Sequence, residues 1–240
     1  MKTYVVTGAT SGVGKALISS FKDEDIRVIA IGRDQDKLDA LVEYMGKDQC
    51  VGVKIDLSDI SSIREILSSY VDVVDGLIYC AGFNKLIPLR KSSYEDFIKI
   101  MNVNFFAFTE LVRLLLRNKP KAQRMRIIGI SSCAALTGLK NNYMYASSKA
   151  AMDAFVRNIA LDYASANVEI NTLQPIYIDT PMLEPYRIGF GEDFDKYITS
   201  KQPLGLIAVE DMVEEIRYLL NKKSTKVSGT AIKINAGSVF

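Results

Sequence analysis

Short apolar runs alternate along this chain with longer stretches whose apolar side chains recur every three or four positions. The runs Tyr4-Val5-Val6, Arg27–Ile31, Val51–Ile55, Gly76–Tyr79, Arg126–Ile130, Val168–Leu173 and Ala231–Ile234 are short and rich in β-branched residues, which predicts seven strands. The helical period predicts helices over Lys15–Phe21, Gln35–Met45, Ile60–Ser69, Tyr94–Leu116, Tyr145–Tyr163 and Glu210–Leu220. In the second of these, Leu38, Leu41, Val42 and Met45 fall on one face. Apolar strands separated by crossover helices imply a parallel sheet covered on both sides. The expectation is one α/β domain over residues 1–240, a doubly wound sheet whose binding crevice lies at the carboxyl ends of the strands. One stretch breaks the pattern. Residues 184–203 are punctuated by Pro185, Gly189, Gly191 and Pro203 and carry Tyr186, Phe190, Phe194 and Tyr197. So long an aromatic insertion predicts a substrate lid, the alternative being a surface excursion packed by its own rings.

Composition narrows the chemistry. The 240 residues, 48% hydrophobic and 24% charged, suit an ordinary globular domain. A net charge of +2 argues against an extended nucleic-acid or membrane surface. The start MKTYVV turns polar too early for a signal peptide, and no run approaches ~18 apolar residues. The expected location is therefore cytoplasmic. Cys50, Cys80 and Cys133 are odd in number and far apart, which suits reduced thiols rather than disulfides or zinc. Histidine is absent. That excludes Ser-His-Asp and Cys-His nucleophile pairs and every histidine-ligated metal site, leaving Tyr, Lys, Asp, Glu or Cys for acid–base work.

The first strand runs into Thr7-Gly8-Ala9-Thr10-Ser11-Gly12-Val13-Gly14 and then a helix. Glycines here allow a tight turn and close backbone approach, and the helix N-terminus offers free N–H groups to an anion. The loop nearly spells a nucleoside-triphosphate motif, but Ala9 stands where its first glycine belongs and Ala16 where its magnesium-binding hydroxyl belongs. A dinucleotide fits better. In such folds an acid about 20 residues onward takes the ribose hydroxyls of NAD, or an arginine takes the 2′-phosphate of NADP. The second strand ends Ile31-Gly32-Arg33, glycine in the acid's place and an arginine after it, which favours NADP(H) over NAD(H). Asp34 could instead neutralise Arg33 or cap the next helix.

Ser131-Ser132 closes the fifth strand, and Tyr145 and Lys149 follow at i and i+4 on one helix face. A free phenol titrates near ~10, and a neighbouring ammonium with a cationic nicotinamide would lower it toward the working range. With a serine hydroxyl to hold a carbonyl oxygen, these residues make a carbonyl-reduction site without histidine.

Together with the glycine loop, this constellation resembles the short-chain dehydrogenase/reductase family, over essentially the whole chain. The family's glycine motif falls on Thr7, Gly8, Gly12 and Gly14; its adenine-binding acid is similar to Asp56, followed by Leu57; its N-N-A-G is degraded to Tyr79-Cys80-Ala81-Gly82. Its fourth-helix asparagine matches Asn104, and its P-G-x-[VI]-x-T segment reads Pro175-Ile176-Tyr177-Ile178-Asp179-Thr180. The resemblance implies a Rossmann-type fold, with Asn104, Ser132, Tyr145 and Lys149 as catalytic residues. Gly8, Thr10, Ser11, Gly12, Val13, Gly14, Arg33, Asp56, Leu57, Ala81, Gly82, Tyr145, Lys149, Pro175, Ile178 and Thr180 would hold the cofactor, with no metal. Tyr145 would be general acid in reduction and base in oxidation. Lys149 would bind the nicotinamide ribose and lower the Tyr145 pKa, Ser132 would orient the carbonyl, and Asn104 would hold a proton-relaying water. Cys80 reads as a small buried hydrophobe, Cys133 as a quiet thiol, and Ile176 must avoid positive φ where the family has glycine.

The implied function is NADP(H)-dependent reduction of a small-molecule carbonyl, free or carrier-bound. Reductases of 3-oxoacyl carrier-protein substrates usually show a basic residue before the sixth strand. Here Ala164-Ser165-Ala166-Asn167 has none, which leaves Lys119, Lys121, Arg124 and Arg126 as a candidate basic patch. The reading from another class is a non-catalytic dinucleotide-binding regulator. Relatives commonly form homotetramers or dimers. Phe105, Phe106, Phe108, Leu111 and Leu115 make the long helix apolar around much of its circumference, which fits burial against a partner, the alternative being one-sided core packing within the monomer.

Overall fold

The computed structural model describes residues 1–70 and 73–239. Seven parallel strands form one sheet: β1 (Lys2–Thr7), β2 (Ile26–Gly32), β3 (Cys50–Lys54), β4 (Gly76–Tyr79), β5 (Met125–Ile130), β6 (Val168–Pro175) and β7 (Ala231–Ile234). Their spatial order is β3-β2-β1-β4-β5-β6-β7. The order reverses between β1 and β4, and such a switch point opens a crevice at the strands' carboxyl ends. The helices are α1 (Gly12–Ser19), α2 (Gln35–Met45), α3 (Ile60–Ser68), α4 (Tyr94–Met101), α5 (Ala107–Asn118), α6 (Tyr143–Asp162), α7 (Glu184–Phe190), α8 (Phe194–Lys201) and α9 (Val209–Asn221).

Two-residue periodicity in the strands divides the core. Val5, Ile29, Ile31, Leu77 and Ile127 face Leu67, Leu111 and Val156 on one side. Tyr4, Val6, Val28, Ala30 and Ile128 face Leu17, Leu41 and Ile216 on the other. With strands apolar on both faces, the sheet is buried from both sides, which the parallel arrangement requires. Among the described residues, no helix is long and apolar enough to cross a membrane.

Three expectations change. The long helix over Tyr94–Leu116 is interrupted by a π-helical turn, Asn102–Phe106, between α4 and α5. There the Ala107 N–H bonds to the Asn102 carbonyl, and the Tyr79 hydroxyl donates to the Val103 carbonyl. The extra residue leaves the apolar spacing helical, so the pattern does not betray it, although such turns concentrate at functional sites. Second, the apolar circumference of that helix serves the protein's own interior: Phe108, Leu111 and Leu115 are buried in the core, while Phe106 alone among the five is substantially exposed. Third, the basic run does not reach the site's mouth. Arg124 and Arg126 pair with the buried Glu169, joined by Lys222, at the amino ends of β5 and β6. The parallel register sets Arg126 beside Glu169, and a buried carboxylate needs such partners.

The 184–203 stretch is more regular than its prolines and glycines suggest. It folds into α7 and α8 around a small core of Leu183, Phe194 and Ile198, with Tyr177, Tyr186 and Tyr197 packed against it. Phe190 stacks on Tyr197 at 4.0 Å between centroids, and the Tyr177 and Tyr197 hydroxyls bond at 2.8 Å.

Candidate active site

The switch point gathers the glycine loop and the end of β4. Gly8 adopts φ +65° and Gly12 φ +49°, both in the left-handed region. Thr7 Oγ1 accepts the Ala81 N–H at 3.1 Å, fastening the two strand ends. Ser11 precedes α1 in an extended conformation and makes no side-chain cap, which leaves the first-turn N–H groups to an anion. Lys15 is exposed, while Ala9 and Val13 are buried. A Cβ on Gly14 would lie 2.4 Å from the Gly8 carbonyl oxygen. Gly14→Ala is therefore expected to cost about 1–3 kcal/mol, read as a lowered melting temperature, because backbone rather than a flexible side chain must give way. Gly138→Ala, with nothing within 4 Å of its Cβ, serves as the neutral control.

Beyond β2, Gly32 packs against Thr10, whose methyl would meet a Cβ there at 2.8 Å. Arg33 is exposed. Asp34 does not hold it: its carboxylate caps α2 through the Lys37 N–H at 3.2 Å and pairs with the Lys37 ammonium. Across the crevice, Asp56 accepts from the backbone N–H and hydroxyl of Ser58 at 2.9 and 2.8 Å, and the Arg33 charge reaches it. The Ser58 N–H, more than Arg33, holds the Asp56 carboxyl below its ordinary range. Leu57 beside it is buried. On the far wall, the Thr180 methyl lies 3.3 Å from where a Gly12 Cβ would stand, and Ile178 bridges to Ile207. Ile176 avoids positive φ, as expected, and its N–H bonds to Ile234.

Ser132, Tyr145 and Lys149 meet at the carboxyl end of β5. Ser132 Oγ accepts from the Ala134 N–H at 3.1 Å, lies 3.5 Å from the Pro175 carbonyl and acts electrostatically on the Tyr145 phenol. The Lys149 ammonium lies 5.5 Å from the Tyr145 ring centroid and donates to the Ile130 carbonyl at 2.7 Å. A Cβ on Gly82 would come within 3.8 Å of both Lys149 Nζ and Asn104 Oδ1. Asn104 is fully buried, and its amide is fully engaged. Oδ1 accepts the Phe83 N–H at 2.8 Å, and Nδ2 donates to the Phe83 carbonyl and to Ser148 Oγ, each at 2.9 Å.

Electrostatics at this point run against the expectation that Lys149 lowers the Tyr145 pKa. Burial pushes the phenol up to about 12 against a smaller opposing pull from Ser132, and pushes the Lys149 ammonium down to about 8. Desolvation penalises the charged form of each group and is the largest influence on both in the protein alone. Burial likewise raises Cys133 to about 11 and Cys80 to about 12, so both thiols are quiet.

One neighbour escaped the sequence reading. Asp153 is buried, accepts from Thr172 Oγ1 at 2.6 Å and Gln174 Nε2 at 2.7 Å, and partly offsets the desolvation of Lys149. Its i+4 spacing from Lys149 was the available signal. Tyr186, on α7 within the predicted lid, reaches Tyr145 electrostatically, and Asn84 acts on the Tyr186 phenol in the same way.

Comparison with known proteins agrees with this geometry. The profile of the short chain dehydrogenase family matches residues 2–189. A 3-oxoacyl-[acyl-carrier-protein] reductase of Buchnera aphidicola is 27% identical over 98% of this chain and 96% of its own length. An L-xylulose reductase of Mesocricetus auratus is 28% identical over 97% of this chain and 94% of its own. The solved structure of a 4-hydroxyisoleucine dehydrogenase complexed with NADH superposes with a TM-score of 0.89 at 26% identity, covering 99% of this chain and 98% of that one. With the profile spanning most of the chain, this protein belongs to the short-chain dehydrogenase family and is an oxidoreductase.

Proposed function

We propose that the protein reduces a small-molecule carbonyl with NADPH, and that Tyr145 delivers the proton. The observation that carries this reading is the meeting of the Ser132 hydroxyl, the Tyr145 phenol and the Lys149 ammonium beside the switch-point crevice. The residues present fit a dinucleotide. The left-handed Gly8 and Gly12 and the crowded Gly14 form a side-chain-free cradle at an uncapped helix start, suited to a pyrophosphate. Thr10, Ser11, Val13, Pro175, Ile178 and Thr180 would complete it, with Asp56, Leu57, Ala81 and Gly82 along the adenosine and nicotinamide walls. The bound cofactor would supply hydride.

The chain's own groups would do the rest. Lys149, with one N–H on Ile130, keeps donors for ribose hydroxyls. Ser132 would donate to the carbonyl oxygen while Tyr145 passes it a proton. A phenol at about 12 is protonated at neutral pH and so holds a proton to give. Asn104 would contribute to proton supply through its backbone carbonyl, since its amide is engaged; that amide positions Phe83 and Ser148. The intact Ser132–Tyr145–Lys149 set lends the regulator reading no support.

NADP(H) preference rests on Arg33, exposed past β2 and left free of Asp34. NADPH is expected to bind at least about tenfold more tightly than NADH, and Arg33→Ala to abolish the difference. Fluorescence titration with both nucleotides checks it; tighter NADH binding by the native protein removes the argument. Two curated relatives are named for carrier-bound and sugar substrates. With the basic run turned to the opposite end of the sheet, a free small molecule is the better-supported substrate here. The lid over residues 184–203 and self-association through Phe105, Phe106 and the exposed Leu161 belong to the same proposal.

A further inference from the structure

Oxidisable sulfur is unevenly placed in this chain. Of eight methionines, Met45, Met125, Met144, Met152 and Met212 are buried and Met101 is half-buried. Met182 is 41% exposed, more than any other methionine except Met1 at the start of the chain. The three thiols offer little competition. Cys50 and Cys133 are buried and Cys80 is half-buried. Burial holds Cys50 and Cys133 at about 11 and Cys80 at about 12, so thiolate, the form that peroxides attack, is scarce at neutral pH.

Exposure alone would make Met182 an ordinary surface side chain; its position sets it apart. It lies in the short turn Pro181–Leu183, which is held on both sides. Before it, the Thr180 methyl leans on the glycine loop, 3.3 Å from the place of a Gly12 Cβ. After it, Leu183 is buried in the small core of α7 and α8. Between these the Met182 methyl carbon comes 3.6 Å from the place of a Gly82 Cβ. Lys149 Nζ and Asn104 Oδ1 each come 3.8 Å from that same point. The exposed thioether and the Lys149 ammonium thus share one small space over Gly82.

Oxygen added to this sulfur changes what the corner offers. A thioether is a soft apolar wall, whereas a sulfoxide is polar and accepts hydrogen bonds. The Asn104 amide has no donor to spare, since both of its N–H bonds are made. Lys149 commits one N–H to Ile130 and keeps two. A sulfoxide here would compete with ribose hydroxyls for those donors, or stand unpaired against a bound nicotinamide. We propose that Met182 is an oxidation site, and that its sulfoxide loosens the dinucleotide and switches the enzyme off until it is reduced. The proposal rests on the reductase reading above and adds its regulation.

With hydrogen peroxide the step balances. The sulfur lone pair attacks one peroxide oxygen, the S–O bond forms as the O–O bond breaks, and the departing hydroxide takes the remaining proton to leave as water. Sulfur loses two electrons and peroxide gains them. A methionine sulfoxide reductase with a dithiol reverses the change, giving thioether, disulfide and water.

The test exposes the native protein and Met182→Leu to hydrogen peroxide, stopped with catalase, with and without saturating NADP⁺ or NAD⁺, whichever binds more tightly. Peptide mass spectrometry reads oxygen gain at each methionine. Fluorescence titration reads NADPH and NADH affinity, each protein against its own untreated sample. Met182 is expected to gain oxygen at least about tenfold faster than the buried Met152, and bound dinucleotide to slow that gain severalfold. Oxidised native protein is expected to bind its reduced nucleotide about tenfold more weakly and to recover under methionine sulfoxide reductase, while treated Met182→Leu loses less than about twofold. Should Met182→Leu fail to fold, recovery of the native protein in step with the loss of oxygen from Met182 decides. Oxygen gain at Met182 no faster than at Met152 overturns the site. Complete oxidation of Met182 with unchanged affinity overturns the switch and leaves the reductase reading standing. An equal loss of affinity in treated Met182→Leu also overturns it. Failure of the untreated protein to bind either nucleotide removes both readings.

Discussion

Replacing Tyr145 by Phe is expected to lower kcat for carbonyl reduction by about 10³-fold or more while nucleotide affinity stays nearly unchanged. The substitution removes one oxygen and keeps the ring, so the packing of α6 against the sheet is preserved. What is lost is the phenol that acts on Ser132 in this corner, and positioned acid catalysis contributes about 10²–10⁴-fold. The chain offers no substitute, since it contains no histidine and both nearby thiols are held quiet by burial. Steady-state kinetics beside a nucleotide titration check the prediction. Turnover within tenfold of the native protein would show that another group carries the proton.

Lys149→Met is expected to do two opposed things: abolish most activity, by roughly 10²–10³-fold, and stabilise the fold. Lys149 is 2% exposed, and burial lowers its pKa from 10.5 to about 8. At neutral pH, holding that proton in the native state costs about 3 kcal/mol relative to the unfolded chain. Losing the bond to Ile130 gives back about 1–2 kcal/mol. The remainder raises the melting temperature by a few degrees at this chain length. The native pKa lies below the unfolded one, so the penalty is complete below about pH 8 and fades as pH rises toward ~10.4. The stability advantage of the variant is therefore largest at neutral pH and shrinks above pH 8. Denaturant titrations of both proteins at pH 7 and pH 10 check it; a gap that widens with pH would reverse the assignment. A destabilised but necessary lysine is the usual trade of stability for function at an active site.

The contrast between these two residues shows what a linear sequence carries. The strands were legible because burial on both faces forces unbroken apolar runs. Ser132, Tyr145, Lys149 and the glycine loop were legible because their chemistry depends on fixed spacings within a strand end, a turn or a helix. The π-helical turn at Asn104 was not, since one extra residue barely disturbs the apolar period. Nor was the fate of Arg124 and Arg126, which is decided by the register of β5 against β6. The direction of the Tyr145 and Lys149 shifts depends on desolvation, a property of how much chain closes over them. Asn84 and Tyr186 come within electrostatic reach across about a hundred residues of chain.

The ionic cluster around Glu169 is an anchor at the end of the sheet away from the reactive corner. It joins β5 and β6 to the chain leaving α9, where Arg126 donates to the Leu220 and Lys222 carbonyls. From Glu169 to Pro175 the strand runs roughly 20 Å before the reactive corner begins. One end of the sheet thus grips the carboxyl-terminal segment while the other carries every specificity loop. Changes in the loops after β4, β5 and β6 therefore leave untouched the anchor that keeps the last helix and strand in place.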